Sequence, residues 1–233
     1  MHSIRSYTIA AITLPVNLLA IILPFLVVPL HVALAAVGAE VNGARVTANA
    51  GSTLPLVSYL VLLSASWVSA TNRNKFDKEI MILSYRNRTH YVLLLPSLWA
   101  FCFGLFCWGV SSLEQLALSG SGVPWGLESD VLMALECATM ALLGSAIGGL
   151  ANNGAVAVAT VVLYSILVAP VTERLAPFVT ARGIVNRVQD ALGGSLSWTS
   201  QLLDIGFFFV VSFLVFILVT IIEKRKLKYV KSR

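Results

Sequence analysis

One carboxylate lies well inside a long apolar stretch of this chain. Glu136 falls about two helical turns into the apolar run 129–150. A carboxylate at mid-membrane costs on the order of 2.5–3.5 kcal/mol by insertion scales, so such groups face a cavity or a partner rather than lipid. Glu136 is therefore either a pathway or proton-coupling residue, or a structural carboxyl that hydrogen-bonds locally or extends to the lipid headgroups. Asn17, in the first apolar run, is a weaker candidate of the same kind.

Residue sets for catalysis or metal binding are missing from the sequence. No G-x-x-x-x-G-K-[ST] phosphate loop occurs, so the chain does not itself bind ATP in that way. No H-E-x-x-H occurs either, and the three histidines are scattered, which leaves zinc hydrolysis without support. The sequence also lacks the G-x-S-x-G arrangement of a serine nucleophile. We predict no catalytic residue, no metal site and no cofactor in this chain.

The composition is typical of a membrane protein. Of the 233 residues, 58% are hydrophobic and 12% are charged, and a soluble domain of this composition could not cover its surface. A helix needs about 20 apolar residues to cross a bilayer core. Six runs approach or exceed that length, at roughly 8–37, 54–71, 91–112, 129–150, 154–171 and 201–222. We predict an all-α membrane protein with six transmembrane helices in one domain, 1–233.

The basic residues between the apolar runs predict the orientation of the chain. With the N-terminus in the cytoplasm, 12 of the 16 Lys and Arg residues lie on the cytoplasmic side. Cytoplasmic loops of membrane proteins are enriched in Lys and Arg, so both termini are predicted to lie inside. The net charge of +5 then reflects topology and contacts with anionic membrane lipids rather than nucleic-acid binding.

The polar inner segment 71–90 carries an apolar stripe at helical spacing. Phe76, Ile80 and Leu83 recur at i, i+4 and i+7. The other faces hold the charged residues Lys75, Asp77, Lys78, Glu79 and Arg86. This pattern predicts an amphipathic cytoplasmic helix. It either lies in the lipid headgroups or docks on a cytoplasmic partner, and the periodicity alone does not distinguish the two.

Three further features concern the last three spans. The outer segment 172–201 is too long for a simple connector, and its apolar repeat predicts re-entrant or surface helices before the last span. The inner link 151–154 is predicted to be a tight turn. Gly144 and Gly148 form a G-x-x-x-G pattern, which predicts a face for close helix packing. Whether that face packs within one chain or between two chains stays open.

This layout resembles the membrane subunit of the type-2 ABC exporters, or ABC-2 type permeases, and in particular the small permeases that protect bacteria from lantibiotics and bacitracin. Six spans with both ends inside carry part of the resemblance. The inner segment 76–88 carries another part, with Glu79, Leu83 and either Arg86 or Arg88 at matching positions. The small-residue fourth span, the tight turn and the long outer segment carry the rest. The sequence departs from the family pattern at Ile80, where a glycine is usual, and in its short segment before the first span.

The resemblance implies a division of labour between this chain and its partners. Two copies, or this chain and a homologous permease, would enclose a translocation path in the bacterial plasma membrane. A separate cytoplasmic ABC ATPase subunit would bind ATP and Mg and supply all catalysis. That ATPase would dock on the inner segment, through Phe76, Asp77, Lys78, Glu79, Ile80, Leu83 and Arg86. The cargo would be a peptide antibiotic or another amphipathic compound, and Glu136 and Asn17 would lie along its path.

Other functions stay open on the sequence alone. A membrane scaffold or assembly protein without transport would show the same apolar runs. A heme or lipid export permease would share the fold. An intramembrane enzyme is a third class, although no nucleophile or metal set is visible. Copurification of a nucleotide-binding protein would distinguish a transporter subunit from a scaffold.

Overall fold

Three helices in the described part of the chain are long and apolar enough to cross a membrane. The computed structural model describes residues 18, 19, 22, 23, 26, 30, 57–71, 101–106, 108, 109, 113, 127–151, 153–175 and 198–231. The three apolar windows match the last three predicted spans and are Ala134–Ala151, Gly154–Val171 and Thr199–Val219. Within these residues the chain is helical and contains no strand, so the all-α prediction is confirmed for this part.

Helix α1, Val57–Thr71, lies in the second predicted span. Most of its side chains are buried, and many of them are small: Ser58, Ser64, Ala65, Ser66 and Ala70. Small side chains let another helix approach closely, and in lipid such packing replaces the hydrophobic effect as the force that joins helices. The composition of α1 therefore suits a helix that is surrounded by protein.

Helix α2, Leu127–Ala151, is the central element of the described bundle. In its apolar window, 67% of the residues are buried, against 22% and 28% in the two spanning helices that follow. A helix that is apolar on all sides is typically enclosed by other elements. Glu136, Gly144 and Gly148 all lie on this helix, so it positions the three candidate residues that fall within the described part of the chain.

A tight turn joins α2 to helix α3, Gly154–Leu163, as the sequence predicted. Asn153 has an extended backbone and its side-chain oxygen accepts a hydrogen bond from the amide of Ala155, at 2.9 Å. Asparagine is among the preferred residues for this N-cap role, because its side chain satisfies an amide that the helix itself cannot. The turn therefore reverses the chain within two residues, and α3 runs back along α2.

Helix α3 continues through a π-helical turn, Tyr164–Val168, into helix α4, Ala169–Leu175. The amide of Ala169 donates to the carbonyl of Tyr164, five residues earlier. Pro170 follows at once and has no amide hydrogen to offer Ile166, and its ring would clash with that carbonyl in an α-helix. A widened π turn accommodates the proline, and such turns are often found at functional positions. Beyond Leu163 the chain no longer packs closely along α2.

Helix α5, Trp198–Lys231, covers another side of α2 and has two distinct faces. One stripe is buried and follows the helical repeat, with Gln201, Ile205, Phe208, Ser212, Phe216 and Val219. Another stripe is exposed and apolar, with Leu203, Phe207, Val210, Leu214 and Leu218. An exposed apolar face of this length is what a lipid-facing helix requires.

Several predicted features fall outside the described residues. They include the amphipathic inner segment with all seven proposed coupling residues, the path candidate Asn17, and the outer segment from residue 176 to residue 197. Isolated positions of the first predicted span, such as Leu19 and Leu26, are helical and exposed.

Candidate functional site

Glu136 lies in the interior of the described bundle. Its side chain is 0% exposed, and neither carboxyl oxygen has a hydrogen-bond partner in the described structure. Leu132 and Met140, one turn to either side on α2, belong to the main hydrophobic core. A buried charge without partners is costly, and each such group in a native protein calls for an explanation. Glu136 is thus the first member of the candidate site.

Close glycine contacts align α2 with α1. A methyl group on Gly144 would collide with the carbonyl oxygen of Leu62, and one on Gly148 would collide with that of Ser66. Later residues of α2 therefore meet later residues of α1, so the two helices run parallel. The predicted packing face lies against α1 of the same chain. Ser69 reinforces it, because its hydroxyl donates to the carbonyl oxygen of Ser145 at 2.9 Å.

Helix α5 also runs parallel to α2. The main core joins residues 132–142 of α2 to Ile205 and Phe208 in the first half of α5. Near their ends, Ala146 packs with Phe216 and Val219 in a second cluster. With a rise of 1.5 Å per residue, this register puts Glu136 at about the height of residues 206–209 on α5.

Gln201 is the second polar member of the candidate site. It is 0% exposed, it lies on the buried stripe of α5, and neither its carboxamide oxygen nor its nitrogen has a hydrogen-bond partner in the described structure. By the same register it lies about 8–12 Å from Glu136 along the bundle, toward the end that holds Leu127 and Trp198. A carboxyl and a carboxamide are therefore both buried in that half of the bundle.

Buried hydroxyl and indole groups are less informative about a site. Ser66 and Thr139 donate to carbonyl oxygens of their own helices, at 2.8 and 2.7 Å. Such bonds to the preceding turn are the ordinary solution for hydroxyls within helices. The hydroxyl oxygens of Ser58 and Ser64 and the indole nitrogen of Trp108 have no hydrogen-bond partner in the described structure. Because unpartnered hydroxyls occur in both halves of the bundle, they do not indicate where a binding site lies.

Among the residues whose side chains the structure describes, there is no group of residues that could hold a metal ion and no buried basic side chain. No cluster of three His, Cys, Asp or Glu side chains occurs among them. Their buried polar residues are Glu136, Gln201, Thr139 and five serines. No basic side chain is among the buried polar residues that the structure describes, and neither carboxyl oxygen of Glu136 has a hydrogen-bond partner among them.

Sequence reasoning identified Glu136 but not Gln201. Gln201 stands at the edge of the last apolar run, where a polar residue is expected at the membrane interface. Helical spacing could have indicated that Gln201 is buried. Its position and those of Ile205, Phe208 and Ser212 recur at i, i+4, i+7 and i+11. That stripe places the carboxamide on the same face as the core residues of α5.

Comparisons of this chain with protein-family models, with curated proteins and with solved structures found no match.

Proposed function

We propose that this chain is the membrane-spanning permease subunit of an ATP-driven exporter of the ABC-2 type, and that Glu136 lies on its translocation path. The observation that carries the proposal is a carboxyl that is wholly buried in a bundle of apolar helices and has no hydrogen-bond partner among the described residues. Intramembrane carboxyl groups are retained where they serve substrate or ion pathways. The absence of a phosphate-binding loop from the sequence is consistent with ATP hydrolysis by a separate subunit.

The relative directions of the described helices are consistent with the six spans that hydropathy predicts. Because α1 and α2 run parallel, the chain between them, 72–126, must recross the membrane an odd number of times if both helices span it. Because α5 runs parallel to α2 and α3 runs antiparallel, segment 176–197 must begin and end on one side. Both requirements agree with the spans that hydropathy predicts, with 91–112 as the intervening crossing and 176–197 as an outer segment.

The substrate class in this proposal is a peptide antibiotic or another amphipathic compound, and the setting is the bacterial plasma membrane. Both rest on the resemblance of the inner segment and of the span layout to the immunity permeases. The ATPase partner would bind ATP and Mg and dock on the inner segment. A second copy of this chain, or a homologous permease, would complete the path.

We expect the inner segment and the C-terminal tail to lie in the cytoplasm, because most Lys and Arg residues cluster there. In a background without the native cysteines, single cysteines at Asn74 and Ser232 should resist an impermeant thiol reagent applied to intact cells. Both should react once the cells are opened. A cysteine at Gly120, in the predicted second outer loop, is the positive control for access from outside. Labelling of the Asn74 or Ser232 position in intact cells would overturn the topology.

Ile80→Asp should break the complex with the ATPase while leaving membrane insertion intact. The substitution puts a charge in the apolar stripe of Phe76, Ile80 and Leu83, which a docking groove would have to desolvate. We expect recovery of the ATPase with the tagged permease to fall by at least about tenfold, since one buried unpaired charge costs well over 1.4 kcal/mol. The measurement is copurification in mild detergent, followed by ATPase activity.

Asn74→Asp is the matched control for this experiment. It adds the same charge to the same segment, but on the polar side of the predicted helix, so it should leave copurification unchanged. Glu79→Ala tests the acidic position that the resemblance assigns to coupling. Unchanged complex formation and coupled ATPase activity in both Ile80→Asp and Glu79→Ala would show that the docking assignment is wrong. Failure of the wild-type chain to bring down any nucleotide-binding protein would favour the scaffold function.

A further inference from the structure

The two helical pieces on either side of the π turn differ in how the bundle holds them. Helix α3 is fixed by close contacts with α1 and α2. A β-carbon on Gly154 would lie 2.9 Å from Cδ2 of the Trp67 indole and 3.1 Å from the hydroxyl oxygen of Thr71. Ala157 is buried, and Val161 belongs to the main hydrophobic core. Because interiors packed in this way leave no free space, α3 cannot move without disrupting them.

The π turn Tyr164–Val168, in contrast, contributes no buried side chain to the bundle. Tyr164 and Ser165 are half-buried, and the three apolar side chains that follow are exposed: Ile166, Leu167 and Val168. In lipid, an exposed apolar side chain that moves exchanges one apolar neighbour for another, so it loses little energy. A rearrangement of this turn therefore disrupts no core packing among the described residues.

The hydrogen-bond ladder of the span also changes at this turn. The amide of Tyr164 still donates to the carbonyl oxygen of Thr160, four residues earlier, whereas the amide of Ala169 donates to that of Tyr164, five residues earlier. Pro170 has no amide hydrogen and cannot form the next bond. Sharp bends in helices occur at prolines and at π turns, and here the two coincide. The span is therefore easiest to bend where its contacts with the bundle end.

We propose that Tyr164–Val168 is a hinge, about which α4 swings and rotates while α3 stays fixed against α1 and α2. Ala169 is buried and directly follows the turn, so it lies at the pivot, where displacement is smallest. A return of the widened turn to α-helical geometry would rotate α4 by about one residue, or roughly 100°. Segment 176–197 follows α4 directly, so the hinge sets the direction in which the chain enters that segment. The opposing possibility is a rigid kink with one fixed bend.

The test measures distances between pairs of spin labels by double electron–electron resonance, in the full chain in lipid nanodiscs and without the native cysteines. One pair joins Arg174 on α4 to Leu203 on α5, and the reference pair joins Val156 on α3 to Leu218 on α5; all four side chains are exposed. Arg174 lies about 12 Å from the middle of the turn, so a swing of roughly 20° displaces it by about 4 Å. The first pair should give a broader or two-component distribution, and Pro170→Ala should narrow it to the width of the reference.

Pro177→Ala is the matched control. It removes a proline from the same stretch of chain but leaves Pro170 and the π turn in place, so the broad distribution should remain. A wild-type distribution as narrow as the reference would show a rigid kink and overturn the hinge. A broad distribution that survives Pro170→Ala, or one that Pro177→Ala narrows equally, would place the motion elsewhere and refute the proposal as well.

Hydrogen exchange of the unlabelled chain gives the same decision if the cysteine-free chain does not accumulate in the membrane. In detergent, the amides of residues 165–171 should exchange at least about tenfold faster than those of residues 157–163, since a hinge opens locally without global unfolding. Pro170→Ala should remove most of this difference, and equal exchange in the wild type would overturn the hinge. Neither measurement involves the ATPase, so a failure of copurification would remove the proposed exporter function and leave the hinge standing.

Discussion

Gly148→Ala is expected to destabilise the protein by about 1–3 kcal/mol, the usual cost of adding a methylene to a filled interior. A β-carbon at this position would meet the carbonyl oxygen of Ser66 and would lie 2.9 Å from the β-carbon of Ser69. The obstructing atoms include the backbone of α1, which cannot rotate away as a flexible side chain could. The two helices must therefore separate, and the small-residue contacts on either side weaken together.

Gly206→Ala is the matched control for this prediction. Gly206 also lies within a long apolar helix, but a β-carbon there would meet no atom of the described residues within 4 Å. Removing a glycine from a helix interior without a clash should stabilise it by about 0.5–1 kcal/mol. Thermal unfolding midpoints of the two variants in the same detergent should move in opposite directions. Equal shifts would show that the contact between α1 and α2 is not the close one described.

The long helices could be predicted because lipid requires them. A chain that crosses a bilayer must satisfy its backbone internally, so an apolar run such as 201–222 has little alternative to a helix. The tight turn before Gly154 was also predictable from its two asparagines, although the physical reason differs from the one expected. Asn153 acts by capping α3 from an extended backbone rather than by adopting an unusual turn conformation.

Packing partners could not be predicted in the same way. The G-x-x-x-G pattern identifies a face of α2 on which another backbone can come close, but every small-residue helix would fit that face equally well. The choice of α1 depends on its own run of serine and alanine and on the register between Gly144 and Leu62. Glycine spacing contains no information about either. For the same reason, helical periodicity places Gln201 on the buried stripe of α5 without showing which helix covers that stripe.

The π-helical turn could be predicted only in part from the sequence. The predicted fifth span, 154–171, matches the apolar window Gly154–Val171, and Pro170 lies near its end. The helix continues past the proline, through Tyr164–Val168 into Ala169–Leu175. A proline removes one hydrogen bond, but in an apolar setting a widened turn costs less than ending the helix with its carbonyl groups exposed to lipid.

Glu136→Leu is expected to make the protein more stable and at the same time inactive in transport. Leucine has a similar volume and removes two buried oxygens that have no hydrogen-bond partner in the described structure. Replacing an unsatisfied buried polar group by an apolar one should stabilise the fold by about 1–3 kcal/mol. If the carboxyl binds a cationic group on the path, the same change removes a charge-assisted interaction. Export, or the resistance that depends on it, should then fall by at least about tenfold.

Glu136→Gln separates charge from hydrogen bonding in this prediction. The carboxamide keeps the size and the acceptor oxygen, so expression, unfolding midpoint and ATPase binding should stay near those of the wild type. Export should nevertheless fall if the charge is what matters. Full export by Glu136→Gln would exclude an essential charge and leave a hydrogen-bonding role. Full export by Glu136→Leu as well, or a loss of stability in that variant, would show that Glu136 is a structural residue whose partners lie beyond the described helices.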